Sequence, residues 1–423
     1  MKFLFLLLIL SLTSLQAETN TAQEVFKKAV SDGNLKPIET LLTYGFNPNQ
    51  SVNGYTPLYF AIQLNRTNVV ELLLAGHADP NALVDRVNTA SPGNMTPLQF
   101  AVQVGNLQIA SRLIGAGAHI DSKGAAGRTA LHYAARSNHL DMIRFLIDRG
   151  ADPNLRDKEG ASPLDDAVWS GSLDAAAILL AHGARLNEPD TQTGATPISE
   201  AAFLGRTALV QYLLQFHPDL AIQDKRGYSA LDNAVRMRKQ ECAVSLLEAE
   251  PKEQQTPEFF AGVMAAAIPK DESAVVEALL RQGALANGLF ASGSAPLDVA
   301  ASAGALNVVR VLLDHGADPN LSGKNGVTAL EDASLKGFDS IVRALVDHGA
   351  VVDRLNGDSG TTALYAAASF GKSKVVKLLL EHGANPGLCG KNRKTPYQAA
   401  LENGYGDVAT LIQNHGGAES CEH

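Results

Sequence analysis

Cysteine is scarce: three in 423 residues cannot build a disulfide scaffold, and no CxxC pair points to a zinc ribbon or a redox couple. Aromatic residues make up 6%, with Trp169 the single tryptophan, which argues against a carbohydrate groove lined by stacked rings. Excess positive charge is missing too. Lysine plus arginine (35) against aspartate plus glutamate (44) leaves −9. That is the wrong sign for a general nucleic-acid binder or a polybasic membrane-surface protein, although a local basic patch survives such a balance. With 45% hydrophobic and 19% charged residues, the composition is that of a folded, mildly acidic soluble protein.

The one marked apolar run is at the start. Residues 1–17, MKFLFLLLILSLTSLQA, join one positive charge at Lys2 to an apolar stretch from Phe3 to Leu12 and a polar end at Ala17. This is the pattern of a secretory signal peptide, with cleavage expected after Ala17 even though Leu15 departs from the small-residue rule. The run falls short of the roughly 20 residues that span a bilayer, and no cysteine follows it to carry a lipid. The mature chain, at 34 − 44 = −10, is expected to be exported, periplasmic or secreted, without stable membrane insertion.

A period runs through the rest. Thr-Pro-Leu or a near relative begins at Thr56, Thr96, Thr129, Ser162, Thr196, Ser229, Ala295, Thr328, Thr362 and Thr395. The intervals are 40, 33, 33, 34, 33, 66, 33, 34 and 33. The 66 is two periods, which predicts a degenerate unit with its origin at Gly262; a further unit with its origin at Glu24 also fits. Five residues beyond each origin stands alanine in twelve of twelve units, from Ala29 and Ala61 to Ala367 and Ala400. Seventeen beyond stands leucine in all but the last, from Leu41 and Leu73 to Leu379 and then Ile412. Chance does not produce two such columns.

Each unit reads as two short helices and a hairpin-like loop. The Thr or Ser hydroxyl caps a helix whose first residue is often Pro, where the missing N–H costs nothing. The alanine lets that helix lie close to its neighbours. One glycine column, including Gly105, Gly171 and Gly304, ends the first helix; another, including Gly150, Gly183 and Gly316, ends the second, whose apolar residues recur with a helical period.

The segments TALHYAA (129–135) and LNVVRVLLDHGADPN (306–320) resemble ankyrin repeats, and the resemblance covers roughly residues 21–417. It implies an all-α ankyrin-repeat solenoid of about twelve helix-turn-helix units with hairpin-like loops, stabilised by stacking rather than by one central core. The expected organisation is a signal peptide at 1–17, an N-terminal capping unit at 18–53 that opens on the capping-box pattern Thr21–Glu24, and a first run of repeats at 54–250. A degenerate unit at 251–294, a second run with its C-terminal cap at 295–417, and a tail at 418–423 complete it.

Two departures interrupt the pattern. The unit from Thr56 carries extra residues in the loop Leu83–Asn94, either a binding loop or a tolerated insertion. Between Glu248 and Glu258 the C-cap glycine gives way to Glu250. The alternatives there are a hinge between two sub-arrays and one continuous array with weaker local stacking; the unbroken register favours the second.

HExxH, a P-loop and GxSxG are all absent from the sequence. His182, His315, His348, His382 and His415 precede C-cap glycines, so they sit about one helix-packing distance apart, near 10 Å, too far to share a metal. They are expected to meet helix C-terminal carbonyls instead. Corners such as Asp79-Pro80-Asn81 and Asp318-Pro319-Asn320 recur with the period and read as turn caps. Cys242 falls in an apolar column and is expected in the core, while Cys389 and Cys421 could pair in an oxidising compartment. No enzyme, cofactor or metal is expected, since an active site needs a unique place. A hydrolase would need a non-periodic cluster of ionisable groups, and none stands out.

The resemblance also implies where a partner would touch: the loop just before each origin and positions seven and eight beyond it. In the units with origins from Thr129 to Ser229 these are Arg128, Arg136, Trp169, Phe203, Leu204, Tyr228, Arg236 and Met237. Trp, Tyr and Arg dominate binding hot spots; later units offer blander residues such as Ser302, Ala303, Lys336, Ser369 and Asn403. The expectation is a monomeric, non-enzymatic interaction scaffold that holds a partner protein on the concave face. The alternative is an inhibitor or immunity-type protein that blocks one enzyme.

Overall fold

A helix leaves its first backbone N–H groups unpaired, and a hydroxyl just before it can take one up. The chain uses this device at nearly every repeat. The structure, a computed structural model, describes residues 15–51, 55–83, 95–323, 326–357, 360–391 and 393–417, with side chains from Glu24 onward. Thr96 Oγ1 accepts the Gln99 N–H at 3.2 Å while Gln99 Oε1 accepts the Thr96 N–H at 3.0 Å. Ser162 and Asp165, Ser229 and Asp232, and Thr395 and Gln398 form the same reciprocal pair. Such a cap contributes about 1 kcal/mol.

Twenty-four α-helices follow among the described residues, from Leu15–Asp32 to Gly406–Asn414. Among those residues there is no strand; Ser322 and Thr328 form an isolated antiparallel bridge, and no helix is long and apolar enough to cross a membrane. The first fourteen residues of the expected signal peptide, the insertion at 84–94 and the tail with Cys421 lie outside the described residues.

The chain divides into two compact units, Met1–Ala201 with Gln215–Gly227, and Ala202–Leu214 with Tyr228–His423. Each is a stack of helix pairs. In the first, Ala130–Arg136 packs on Pro163–Ser170, and Leu140–Asp148 on Leu173–Ala181. In the second, Thr207–Leu214 packs on Gln240–Ala249, which packs in turn on Ser273–Arg281. The alanine column explains the close approach: Ala134, Ala167, Ala234, Ala300 and Ala367 are all fully buried, and a larger side chain there would push neighbouring helices apart. The leucine column is fully buried from Leu73 to Leu379. Leu41, in the first unit of the array, is only half-buried; there Ile38 is the fully buried residue.

The turn after each first helix is left-handed in all twelve repeats, whether or not glycine supplies it. Asn65, Asn138, Arg238 and Asp271 adopt φ between 54° and 59° at that place. Glycine has a second reason at Gly205, where an added Cβ would fall 2.7 Å from the Lys239 side chain of the next repeat.

The recurring corner does more than cap its own turn. Asp152 Oδ1 accepts the Asn154 N–H at 2.8 Å. Asn154 then reaches the next repeat, donating to Gly183 O at 3.0 Å and accepting the Arg185 N–H at 2.9 Å. Asn81 does the same to Gly117 and His119, and Asn320 to Gly349 and Val351. Each clamp closes backbone groups that a short helix end leaves open.

Two expected helix starts are corrected. The helix Leu15–Asp32 runs through Thr21, so that residue is inside it and not its cap. The degenerate repeat begins its first helix at Pro257, with Thr256 Oγ1 accepting the Phe259 N–H at 3.2 Å. That is five residues before the periodic origin at Gly262, because Thr256-Pro257 is the local pair able to cap. Ala267 nonetheless keeps its column and is fully buried. Glu250, at the second C-cap of its repeat, is extended (φ −63°, ψ 130°) where its counterparts are left-handed.

Candidate functional site

In the first unit, the first helices of consecutive repeats pack side by side, and this brings Arg128, Arg136 and Trp169 to the lining of one cavity. Arg128 precedes the helix Ala130–Arg136 and its Nε lies 3.1 Å from Asp157 Oδ2, with Nη2 3.7 Å from Asp166 Oδ1. Arg136 closes the same helix; its Nη1 is 3.4 Å from Asp166 Oδ1, and its guanidinium lies 4.2 Å from the Trp169 ring centre. Trp169 ends the next first helix, Pro163–Ser170, and remains 52% exposed. It does not fold inward to cover a groove.

These residues border a cavity of about 320 Å³. Its floor is acidic. Asp166 is buried, and Asp165 and Glu200 are half-buried; all three line the cavity, as do Asp190 and Glu159. Loss of hydration pushes the Asp166 carboxyl up to about 7, against the lowering pull of Arg128 and Arg136. Burial likewise pushes Asp165 up to about 6, against its bonds to the Ser162 N–H and hydroxyl. Glu200 is raised by burial and by the charge of Asp190. Asp190 Oδ1 is engaged in its own turn by the Gln192 and Thr193 N–H groups at 2.8 and 2.7 Å.

The remaining expected residues belong to the second unit. Phe203 and Leu204, at the end of the helix Pro197–Leu204, are half-buried. Tyr228 and Arg236 pair across the helix Ala230–Arg236, with the guanidinium 4.0 Å from the ring centre. Met237 is 42% exposed just beyond it.

The acidic floor is what the reading of loop and helix-end positions missed. Asp165 and Asp166 stand three and four residues past their origin, and Glu200 four past its own. At the fourth place earlier repeats carry Phe60, Phe100 and Tyr133. A switch from aromatic to carboxylate within one column was the available signal.

His132 shows why the third place favours a particular chemistry. Its Nδ1 accepts the Thr129 N–H at 3.1 Å, so the proton sits on Nε2, which donates to Ala161 O at 3.0 Å. The ring is buried and neutral, and its pKa is pushed down to about 4, chiefly by loss of hydration. Gln99, its counterpart, makes the same bonds without a titratable group.

The other ionisable columns are structural. His182, His348, His382 and His415 each place Nδ1 2.7–2.9 Å from a carbonyl four residues earlier in the helix they cap. Cys242 is fully buried, with Sγ 3.4 Å from Thr207 Oγ1. Among the described residues no group of three or more His, Cys, Asp or Glu is arranged to hold a metal ion. The second unit also has an apolar cavity of about 530 Å³ in the degenerate repeat, lined by Phe260, Met264, Leu285 and Leu289 among others.

A family model of ankyrin repeats in sets of three matches residues 3–84, 82–157, 98–190, 263–356 and 351–421, well over half of the chain. The chain belongs to the ankyrin repeat family, a class of protein-interaction modules that are generally not enzymes. No curated protein sequence matches it. Among solved structures it is similar to the ankyrin repeat domain of Bcl-3, described as a unique member of the IkappaB protein family. The identity is 26% and the TM-score 0.46, over 52% of this chain and 97% of that one.

Proposed function

We propose that this chain is an exported, non-enzymatic scaffold that holds a partner protein on the face formed by first-helix ends and loop tips of the first unit, around Arg128, Arg136 and Trp169. The observation that carries the reading is Trp169, half exposed yet held by Arg136 at 4.2 Å. A large aromatic fixed in place before binding loses little conformational freedom when a partner covers it, and Trp, Tyr and Arg are the residue types that anchor interfaces. Within the second unit, Tyr228 and Arg236 form a pair of the same kind. Export rests on the pattern of residues 1–17.

The test is capture of a partner from the exported compartment by residues 18–423, beside the Trp169→Ala/Phe203→Ala variant, with equal helicity established by circular dichroism. The native chain is expected to retain a partner that the variant loses. Retention by both moves the site elsewhere, and capture by neither removes the scaffold reading.

A further inference from the structure

We infer that the acidic cavity beside Trp169 is a socket for one basic side chain, an arginine or a lysine, projecting from the partner protein. The inference rests on the scaffold reading above and deepens it by naming what the partner must present.

Charge decides the class of occupant. Five carboxylates line the cavity (Glu159, Asp165, Asp166, Asp190 and Glu200) against two guanidiniums, Arg128 and Arg136. Both guanidiniums are already committed to carboxylates, Arg128 to Asp157 and Asp166, and Arg136 to Asp166. Glu159 and Glu200 have no side-chain hydrogen bond or ion pair among the described residues. The surplus is therefore negative, and an anion would meet it without a free cation to hold it.

A second, independent observation points the same way. Asp166 is only 3% exposed, lines the cavity, and spends one oxygen on the two arginines. Its other oxygen, Oδ2, is buried without any hydrogen-bond partner. A buried carboxylate oxygen left unpaired is costly, and a donor brought to it recovers that cost. The carboxylates do not converge as metal ligands do, so the fitting cation is an organic one with a stem. The exposed Trp169 ring at the rim suits that stem, and the cavity volume of about 320 Å³ is at the low end for a small ligand pocket.

Trp169 is the only tryptophan in the chain, so its emission reports on this socket alone. Full-length mature protein is titrated with N-acetyl-arginine methylamide, with its neutral citrulline counterpart, and with inorganic phosphate, all at constant ionic strength. The arginine probe is expected to change the emission saturably in the millimolar range, with at least tenfold weaker binding to a Glu159→Gln/Glu200→Gln variant of unchanged helicity and melting. The lysine counterpart decides between guanidinium and ammonium. An equal response to citrulline, saturation by phosphate instead, or a variant indistinguishable from native overturns the socket. A partner captured by a chain that ignores arginine leaves the scaffold standing without the socket. An arginine response in a chain that captures nothing does the reverse.

Discussion

The Arg136 guanidinium lies 4.2 Å from the centre of the Trp169 ring and 3.4 Å from Asp166 Oδ1. One repeat thus holds the exposed aromatic of the next with a side chain that also neutralises its buried carboxylate. Replacing Arg136 by alanine removes both contacts. Stability in urea is expected to fall by about 1 kcal/mol, and the Trp169 emission maximum is expected to move. An unmoved spectrum contradicts the contact.

His132 makes part of the stability pH-dependent. Its folded pKa of about 4 lies below the ordinary 6.5, so its contribution is present above about 6.5 and lost as pH falls through 4. The loss is on the order of 3 kcal/mol at most. His132→Gln reproduces the arrangement of Gln99 and should remove this rising component, so that stability falls more steeply with pH. Asp165 and Asp166, raised to about 6 and about 7, act with the opposite sign. Their contribution is full below about 4 and lost as pH rises through their folded values. Unfolding midpoints of native and His132→Gln protein from pH 4 to 8 separate the two effects, because only the histidine term changes between them.

Asn154 joins two repeats by two hydrogen bonds, to Gly183 O and from the Arg185 N–H. Asn154→Ala leaves both backbone groups to find water, and a loss of about 1–2 kcal/mol is expected. Asp174→Ala, at an exposed place on a second helix, should change stability by less than about 0.5 kcal/mol. Chemical denaturation of the pair gives the comparison.

The left-handed C-cap gives a prediction with two signs. Gly150 has φ 92° with nothing within 4 Å of an added Cβ, whereas His77 has φ 66° at the equivalent place. Gly150→Ala is expected to cost about 1 kcal/mol from backbone strain alone, and His77→Gly to gain a similar amount. Thermal melts showing both changes in one direction would contradict a purely conformational cause.

Much of this architecture was legible as period. A residue repeated at a fixed place must do a repeated job, and the alanine, leucine and cap columns could be read that way before any contact was known. The histidine column at the helix ends and the core position of Cys242 were legible for the same reason. Thr21 and the start of the degenerate repeat were not. Capping is decided by which local hydroxyl meets the first turn, and Thr256-Pro257 satisfies that outside the period. The asparagine clamps were missed because their partners lie about thirty residues away, although Asn81, Asn154 and Asn320 recur at one place. The acidic floor was missed because a partner face was sought at the tips, while Asp166 and Glu200 lie on the helices behind them.

The most direct measurement is photocrosslinking from defined positions of residues 18–423 in the compartment to which export is proposed. A benzophenone amino acid is placed at position 169, or at position 174 on the neighbouring second helix, where Asp174 is exposed. Binding through the Trp169 face predicts one discrete crosslinked protein from position 169 and none from 174. Equal crosslinking from both positions, or from 174 alone, would contradict it.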